Sequence, residues 1–391
     1  MKPSKRSLSI PASVTFSIDS RVKELMAEGV DVIGLGAGQP DFPCPPEAVA
    51  AATAFIAGGH VGYTPAAGIP PLRSAAAKHL SRVTGVSYDG SQVVVTDGAK
   101  EALILAIAAV ADPGDEILVP TPGWLSYQPM ALINSVIPID VPTDAAQHFK
   151  LTPAALDAAI TERTRAVVIN SPGNPTGGVY SEDELRALCA VIVARDIALI
   201  SDEIYWCFVF EGKHISPASM PGMAERTIVV NGVSKSHAMT GWRIGFLAAP
   251  GPLAKICASM KSHMTSNAAA PSQHAALAAL EAGNSHTEMM AKAFLRRRNL
   301  AVAALQALPG VELTPPDGAF YVFPRVDAHY SSDVPGSVEF CAALLEQERL
   351  AAVPGAAFGE DRCIRISTAA DDKVILDGIA RLGQFLQQLS A

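Results

Sequence analysis

The sequence predicts an α/β fold, a largely parallel sheet sandwiched between helices, followed by a smaller α+β unit. Three observations carry this reading. Short runs rich in β-branched residues recur through the middle of the chain: QVVVT (92–96), EILVP (116–120), AVVIN (166–170), IALIS (197–201) and TIVVN (227–231). Ala- and Leu-rich stretches of helical length separate them. After residue 284 the rhythm changes to one long helical stretch and isolated strands.

The strand runs are apolar almost without interruption, and such strands are covered on both faces, as in parallel sheets. Between them, EALILAIAAVA (101–111) is an apolar helix candidate, too short to span a bilayer. SEDELRALCAVIVARD (181–196) opens with Ser181 and carries Glu184 three positions on, a capping box. Beyond 284, HTEMMAKAFLRRRNLAVAALQAL (286–308) predicts a long helix, and AFYVF (319–323) and CIRIS (363–367) predict strands. The expected division is a large unit over 46–284 and a small one built from 1–45 with 285–391.

Composition excludes several classes. A chain of 391 residues buries a sizeable core and exceeds one compact hydrophobic unit. Charged residues make up 17%, with a formal net charge of −8, which argues against nucleic acid or an anionic membrane as the main partner. The six cysteines lack CxxC or metal-ligand spacing and read as reduced thiols of a cytoplasmic protein. Near the N-terminus, SLSIPASVTFSIDS breaks every apolar run with Ser, Pro or Asp, unlike a signal peptide. VIGLGAG (32–38) imitates a dinucleotide-binding turn, but QPDFPCPP follows, and its prolines forbid the helix such a turn requires. HExxH, Walker-type and G-x-S-x-G motifs are missing from the sequence.

In open α/β sheets, ligands bind beyond the carboxyl ends of the strands. QVVVT runs into DGAKEALILA, a glycine turn opening a helix whose free N–H groups suit a phosphate. AVVIN runs into SPGNPTGG with Asn174, IALIS into DEIYW with Asp202 and Tyr205, and TIVVN into GVSKSHAMTGWR with Lys235 and Arg243. A phosphate cradle, an amide, a carboxylate with a phenol, and a lysine with an arginine match one ligand, pyridoxal 5'-phosphate. Its aldehyde takes a lysine amine, its ring nitrogen an acid, its ring oxygen hydrogen-bond donors, and its phosphate an arginine with N–H groups. Taken singly, each residue has a plainer reading. Lys235 is then a solvated loop lysine, Asp202 a helix N-cap for EIYWCFVF, Asn174 turn chemistry, Trp124 core packing, and Arg365 the partner of a carboxylate in GEDR (359–362).

NSPGNPTGG, SDEIYW and SKSHAMTGWRIG, in this order, resemble the class I aminotransferases, close to the bacterial aspartate aminotransferase branch. The similarity runs from LGAGQPDF through GYTPAAGIPPLR to CIRIS. It implies the fold type I architecture of pyridoxal-phosphate enzymes, with a mostly parallel seven-stranded sheet in the large domain. By that resemblance Lys235 forms the Schiff base and shuttles the proton, Asp202 pairs with the pyridine nitrogen, and Tyr205 and Asn174 bond the ring oxygen. Arg243, the N–H groups around Gly98, Ala99 and Lys100, and the Ser234 hydroxyl hold the phosphate, while Trp124 stacks on the ring. Arg365 binds the substrate α-carboxylate with Asn174, Trp124 and the backbone at Gly38. Tyr63 reaches the phosphate of a neighbouring subunit, so a homodimer with shared sites is implied.

The expected reaction moves the amino group of an L-amino acid to a 2-oxo acid, an aspartate-type donor with 2-oxoglutarate as acceptor. Aromatic or neutral donors are the alternative, because the helix past Glu101 offers no second cation. Lys100 and, contributed by the partner chain of the implied dimer, the stretch KSHMTSNAAAPSQ (261–273) with Ser266 and Asn267 are candidates for reading an acidic side chain. A carbon–sulfur lyase shares the same lysine chemistry. A coenzyme-binding sensor of a regulator is the non-enzymatic alternative, disfavoured because the resemblance leaves no space for a DNA-binding module.

Overall fold

The computed structural model describes residues 2–12 and 14–389. Its main sheet has seven strands in the spatial order Val93–Thr96, Gly245–Ala248, Thr227–Gly232, Ala198–Asp202, Thr164–Asn170, Glu116–Thr121, Ile137–Pro142. All run parallel except Gly245–Ala248, which is antiparallel to both of its neighbours. The expected largely parallel sheet is therefore present. Two of its strands were not among the sequence expectations. Ile137–Pro142 is a half-exposed edge strand with proline at two positions, and Gly245–Ala248 has only four residues.

Alternation along each strand explains the unbroken apolar runs. Val94, Ile117, Val119, Val168, Ile200 and Val230 face one side, where the helices Ala99–Val110 and Gly251–Met264 pack. Val93, Val95, Val229 and Phe246 face the other, against Pro70–Thr84 and Ala270–Glu281, and Leu118, Val167 and Leu199 meet Glu182–Ala194. Each fully buried Val or Leu contributes about 1.5–3 kcal/mol of transfer free energy, so both faces anchor the sheet.

The Glu182–Ala194 helix begins as expected: the Ser181 hydroxyl accepts from the Glu184 N–H (3.3 Å), and the Glu184 carboxylate accepts from the Ser181 N–H (2.8 Å). The long helix spans Ser285–Gln306. It joins a separate core made by Leu35, Leu305, Val322, Phe340, Ile364, Ile366 and Leu382. There, Ile364–Ser367 is the middle strand of a three-stranded sheet, between Val353–Pro354 and Tyr321–Val322. Around VIGLGAG the chain is extended, with Ile33–Gly34 paired to Leu350–Ala351, and a helix begins only at Pro46. Among the described residues no helix is long and apolar enough to cross a membrane.

Candidate active site

Because the parallel strands share a direction, Thr96, Asn170, Asp202 and Gly232 all end at one edge of the sheet. A cleft of about 920 Å³ opens there, and Lys235, Asp202, Tyr205, Asn174, Arg243 and Arg365 all line it. Gly38, Ala99, Lys100, Trp124 and Ser234 line it too. Tyr63 does not: it is 94% exposed on this chain.

Asp202 closes its strand at 3% exposure. Its Oδ2 accepts from the Tyr127 hydroxyl (2.8 Å) and its Oδ1 from the Ile204 N–H (3.2 Å). Burial pushes its pKa up to about 6, against the opposing pull of those two hydrogen bonds. The chain after it forms a turn over 204–207, so the expectation that Asp202 caps a helix through EIYWCFVF does not hold. Pairing of Ser201 and Asp202 with the Thr227–Gly232 strand keeps the backbone extended up to the carboxylate.

Lys235 lies in the four-residue helical turn Val233–Ser236 that follows Gly232. Its amine donates to the carbonyl of Gly38, which brings the N-terminal loop to the strand ends. Burial, then the cations of Arg365 and Arg243, lower its pKa to about 8, while Asp202 pulls the other way. The solvated-loop reading of this lysine fails, because its half-buried side chain lines the cleft and its amine is held by the Gly38 carbonyl.

Arg365 sits at 2% exposure in the middle of its strand. Its NH1 donates to Asn174 Oδ1 (2.9 Å) and its NH2 to the Gly36 carbonyl (2.7 Å), while its guanidinium lies 4.5 Å from the Tyr321 ring centroid and 5.0 Å from that of Phe358. Its buried Nε has no partner among the described residues. The carboxylates of GEDR are engaged elsewhere, Glu360 with Arg362 and Asp361 with Ser337. No carboxylate among the described residues pairs with Arg365. A buried guanidinium held only by neutral acceptors and ring faces is matched to an incoming anion.

Arg243 adopts a left-handed backbone (φ 57°) and donates to the carbonyls of Thr240 (2.9 Å) and Asp97 (3.1 Å). Gly98, at φ 81°, begins the Ala99–Val110 helix, and a Cβ there would stand 2.3 Å from Arg243 NH2. Only glycine lets the guanidinium lie this close to the free N–H groups of the helix start, and together they form an anion cradle. Trp124 packs edge-on against Tyr127, and Lys100 Nζ lies 5.2 Å from the Trp124 ring centroid.

Two cleft residues were missed by the sequence reading. Tyr127 supplies the hydrogen bond to Asp202, and the Tyr321 hydroxyl lies 2.8 Å from that of Tyr205 while its ring backs Arg365. Tyr127 lies three residues after Trp124 and Tyr321 lies inside AFYVF, both singled out for other reasons, and only the fold reveals their partners. The stretch 261–273 needs a correction in one respect: Lys261 is fully buried and paired with Asp97 and Glu101, so its amine does not reach a substrate.

The residues fit pyridoxal phosphate. A lysine with a depressed pKa, a buried carboxylate, an anion cradle that a Cβ would fill and a buried arginine with an unpartnered Nε share one cleft. Comparison with known proteins agrees: residues 30–382 match the family model described as aminotransferase class I and II. The chain belongs to this family. It is similar to the aspartate aminotransferase of Geobacillus stearothermophilus, 41% identical with 99% of each chain covered. It is also similar to the probable aspartate/prephenate aminotransferase of Aquifex aeolicus, 42% identical over 96% of each. Among solved structures, the aspartate aminotransferase of Rhizobium meliloti superposes with a TM-score of 0.94 at 37% identity, covering 99% of both chains. The Thermus thermophilus aspartate aminotransferase with maleate also gives 0.94, at 37% identity, covering 98% of this chain and 100% of the other. The chain is thus a pyridoxal-phosphate-dependent aminotransferase of fold type I.

Proposed function

We propose that the chain transfers the amino group of an aspartate-type L-amino acid to 2-oxoglutarate, with the roles that follow. The coenzyme supplies an electron sink that stabilises the carbanion at the substrate Cα. Lys235 would hold the coenzyme aldehyde, and its amine, once freed, would serve as the base for the proton at the substrate Cα, a task suited to an amine whose pKa burial brings down to about 8. Asp202 faces the ring nitrogen and keeps it protonated. Tyr205 and Asn174 donate to the ring oxygen, and Trp124 covers the ring. Arg243, Ser234 and the N–H groups of Gly98, Ala99 and Lys100 hold the phosphate. Arg365, Asn174, Trp124 and the Gly38 backbone orient the substrate carboxylate. The observation that carries this is the meeting of Lys235, Asp202 and Arg365 in one cleft although they are far apart in sequence.

Several relatives are named aspartate aminotransferases, and Lys100 at the cleft wall is the cation we assign to an acidic side chain. A neutral or aromatic side chain is the second reading. The wall formed by Ile18, Val22, Met26 and Val32 favours it. Tyr63 we assign to the phosphate of a second copy, in a homodimer acting in the cytoplasm, to which Ser266 and Asn267 also contribute. We further assign 46–284 and 1–45 with 285–391 to a large and a small domain.

An amino-donor screen with 2-oxoglutarate tests the proposal, with prephenate added to the acceptor panel because relatives are named for it. Aspartate is expected to lead, and Lys100→Met is expected to lower kcat/KM for aspartate by roughly tenfold or more, the worth of one charge-assisted hydrogen bond, while sparing phenylalanine. Preference for aromatic donors in the unaltered protein overturns the aspartate assignment. Keto-acid release from cysteine or cystathionine without any acceptor would instead identify a lyase.

A further inference from the structure

Against the first turn of the Ala99–Val110 helix lies a charged cluster outside the cleft lining. Lys261, with no exposed surface, donates to Asp97 Oδ2 (2.9 Å), Glu101 Oε2 (2.7 Å) and Thr265 Oγ1 (2.8 Å). Thr265 in turn donates to Glu101 Oε1 (2.5 Å). A buried lysine is a costly way to fill space, and well-packed apolar residues stabilise such positions as well or better. The partners explain its presence. Asp97 is pinned at three points: its N–H donates to Glu101 Oε2 (2.6 Å), its carboxylate Oδ2 accepts from Lys261, and its carbonyl accepts from Arg243 NH2 (3.1 Å). Asp97 is also the residue immediately before the left-handed Gly98, whose carbonyl is fixed by the Thr96 hydroxyl (3.0 Å).

We propose that Lys261 is a positioning residue for the coenzyme phosphate. By clamping Asp97 and Glu101 it fixes both the turn that presents the free N–H groups and the carbonyl that orients Arg243. It also neutralises one of two carboxylates that otherwise stand close to a dianionic ligand, and so removes part of their repulsion. The inference rests on the reading above that the Gly98 turn and Arg243 hold the phosphate. It adds a residue from the Gly251–Met264 helix, on one face of the sheet, to the control of a ligand bound at its edge.

The test uses full-length protein stripped of coenzyme. Pyridoxal 5'-phosphate and pyridoxal, which lacks the phosphate, are titrated separately and followed by visible absorbance, and inorganic phosphate is titrated by calorimetry. In Lys261→Met, affinity for pyridoxal 5'-phosphate and for inorganic phosphate is expected to fall roughly tenfold or more, the effect of unpairing a buried polar group. Affinity for pyridoxal is expected to stay within about twofold, since its amine anchor is untouched. Equal losses for both coenzymes, or no loss for either, would overturn the proposal. If Lys261→Met does not fold, Lys261→Met combined with Glu101→Gln, which keeps the net charge of the cluster, carries the same comparison. Arg243→Ala separates the two levels: retained phosphate discrimination there refutes the phosphate-site reading itself. Loss in Arg243→Ala with none in Lys261→Met refutes only the role of Lys261.

Discussion

Replacing Asp202 by asparagine is expected to stabilise the coenzyme-free protein while disabling it. The folded chain raises the pKa of this carboxyl from 3.8 to about 6, chiefly by burial. Between those two values the folded state binds more protons than the unfolded one, so the carboxylate erodes stability as pH rises through that window, and the loss is complete above it. The shift of about two units amounts to about 3 kcal/mol near pH 7, at about 1.4 kcal/mol per unit. Near pH 4.5 the same relation leaves about 1 kcal/mol, because most of the carboxyl is protonated in the folded state and part of it in the unfolded one. The asparagine side chain carries no charge at any pH and still offers Tyr127 an acceptor. Urea titrations of Asp202→Asn and the unaltered protein, both without coenzyme, should show a gain of about 3 kcal/mol near pH 7 that shrinks toward acid. Coenzyme should bind the variant less tightly, because the counter-charge proposed for the ring nitrogen is gone. A variant no more stable than its parent near pH 7, or a gain independent of pH, would refute the account of Asp202 as a carboxylate held ionised at a cost.

Two further outcomes follow from the same cleft. Lys235, with its pKa lowered to about 8 by burial and neighbouring cations, becomes neutral as pH rises through that value. The rate at which coenzyme-free protein captures pyridoxal 5'-phosphate should therefore climb about tenfold from about pH 7 to 9 and then level off, whereas a solvated lysine would keep gaining beyond about pH 10. Gly98→Ala places a methyl 2.3 Å from Arg243 NH2 at a left-handed residue. The conformation alone, extended at positive φ, costs about 1–3 kcal/mol for a residue with a Cβ, and displacement of the guanidinium adds to it, so dialysis should strip coenzyme from this variant much faster than from its parent.

The central strands were legible because burial on both faces leaves a continuous β-branched signature, and Val93–Thr96, Thr164–Asn170 and Thr227–Gly232 lie where that signature runs. Ile137–Pro142 escaped because a half-exposed edge needs no such run, and Gly245–Ala248 because it owes its place to two neighbours rather than to its own composition. The cleft residues were legible where they follow a strand directly, as Asp202 and Lys235 do. Tyr127 and Tyr321 were not, since their partners lie 75 and 116 residues away and no local pattern encodes a contact at that range. In the sequence Lys261 reads, with its stretch, as a candidate for meeting an acidic side chain, because its burial depends on Asp97 and Glu101 arriving from another helix start, which no local pattern shows.

The one antiparallel strand of the seven-stranded sheet has a consequence for how the chain gauges its ligand. Thr227–Gly232 and Gly245–Ala248 are direct neighbours, so the connection across residues 233–244 is tethered at both ends by one ladder of hydrogen bonds. Lys235 and Arg243 both ride on it, and the spacing between the proposed hook for an aldehyde and the proposed hook for a phosphate is thereby set like the jaws of a caliper. Inserting even one residue between them would open the jaws without unravelling the sheet, leaving a well-folded protein that no longer measures the right molecule.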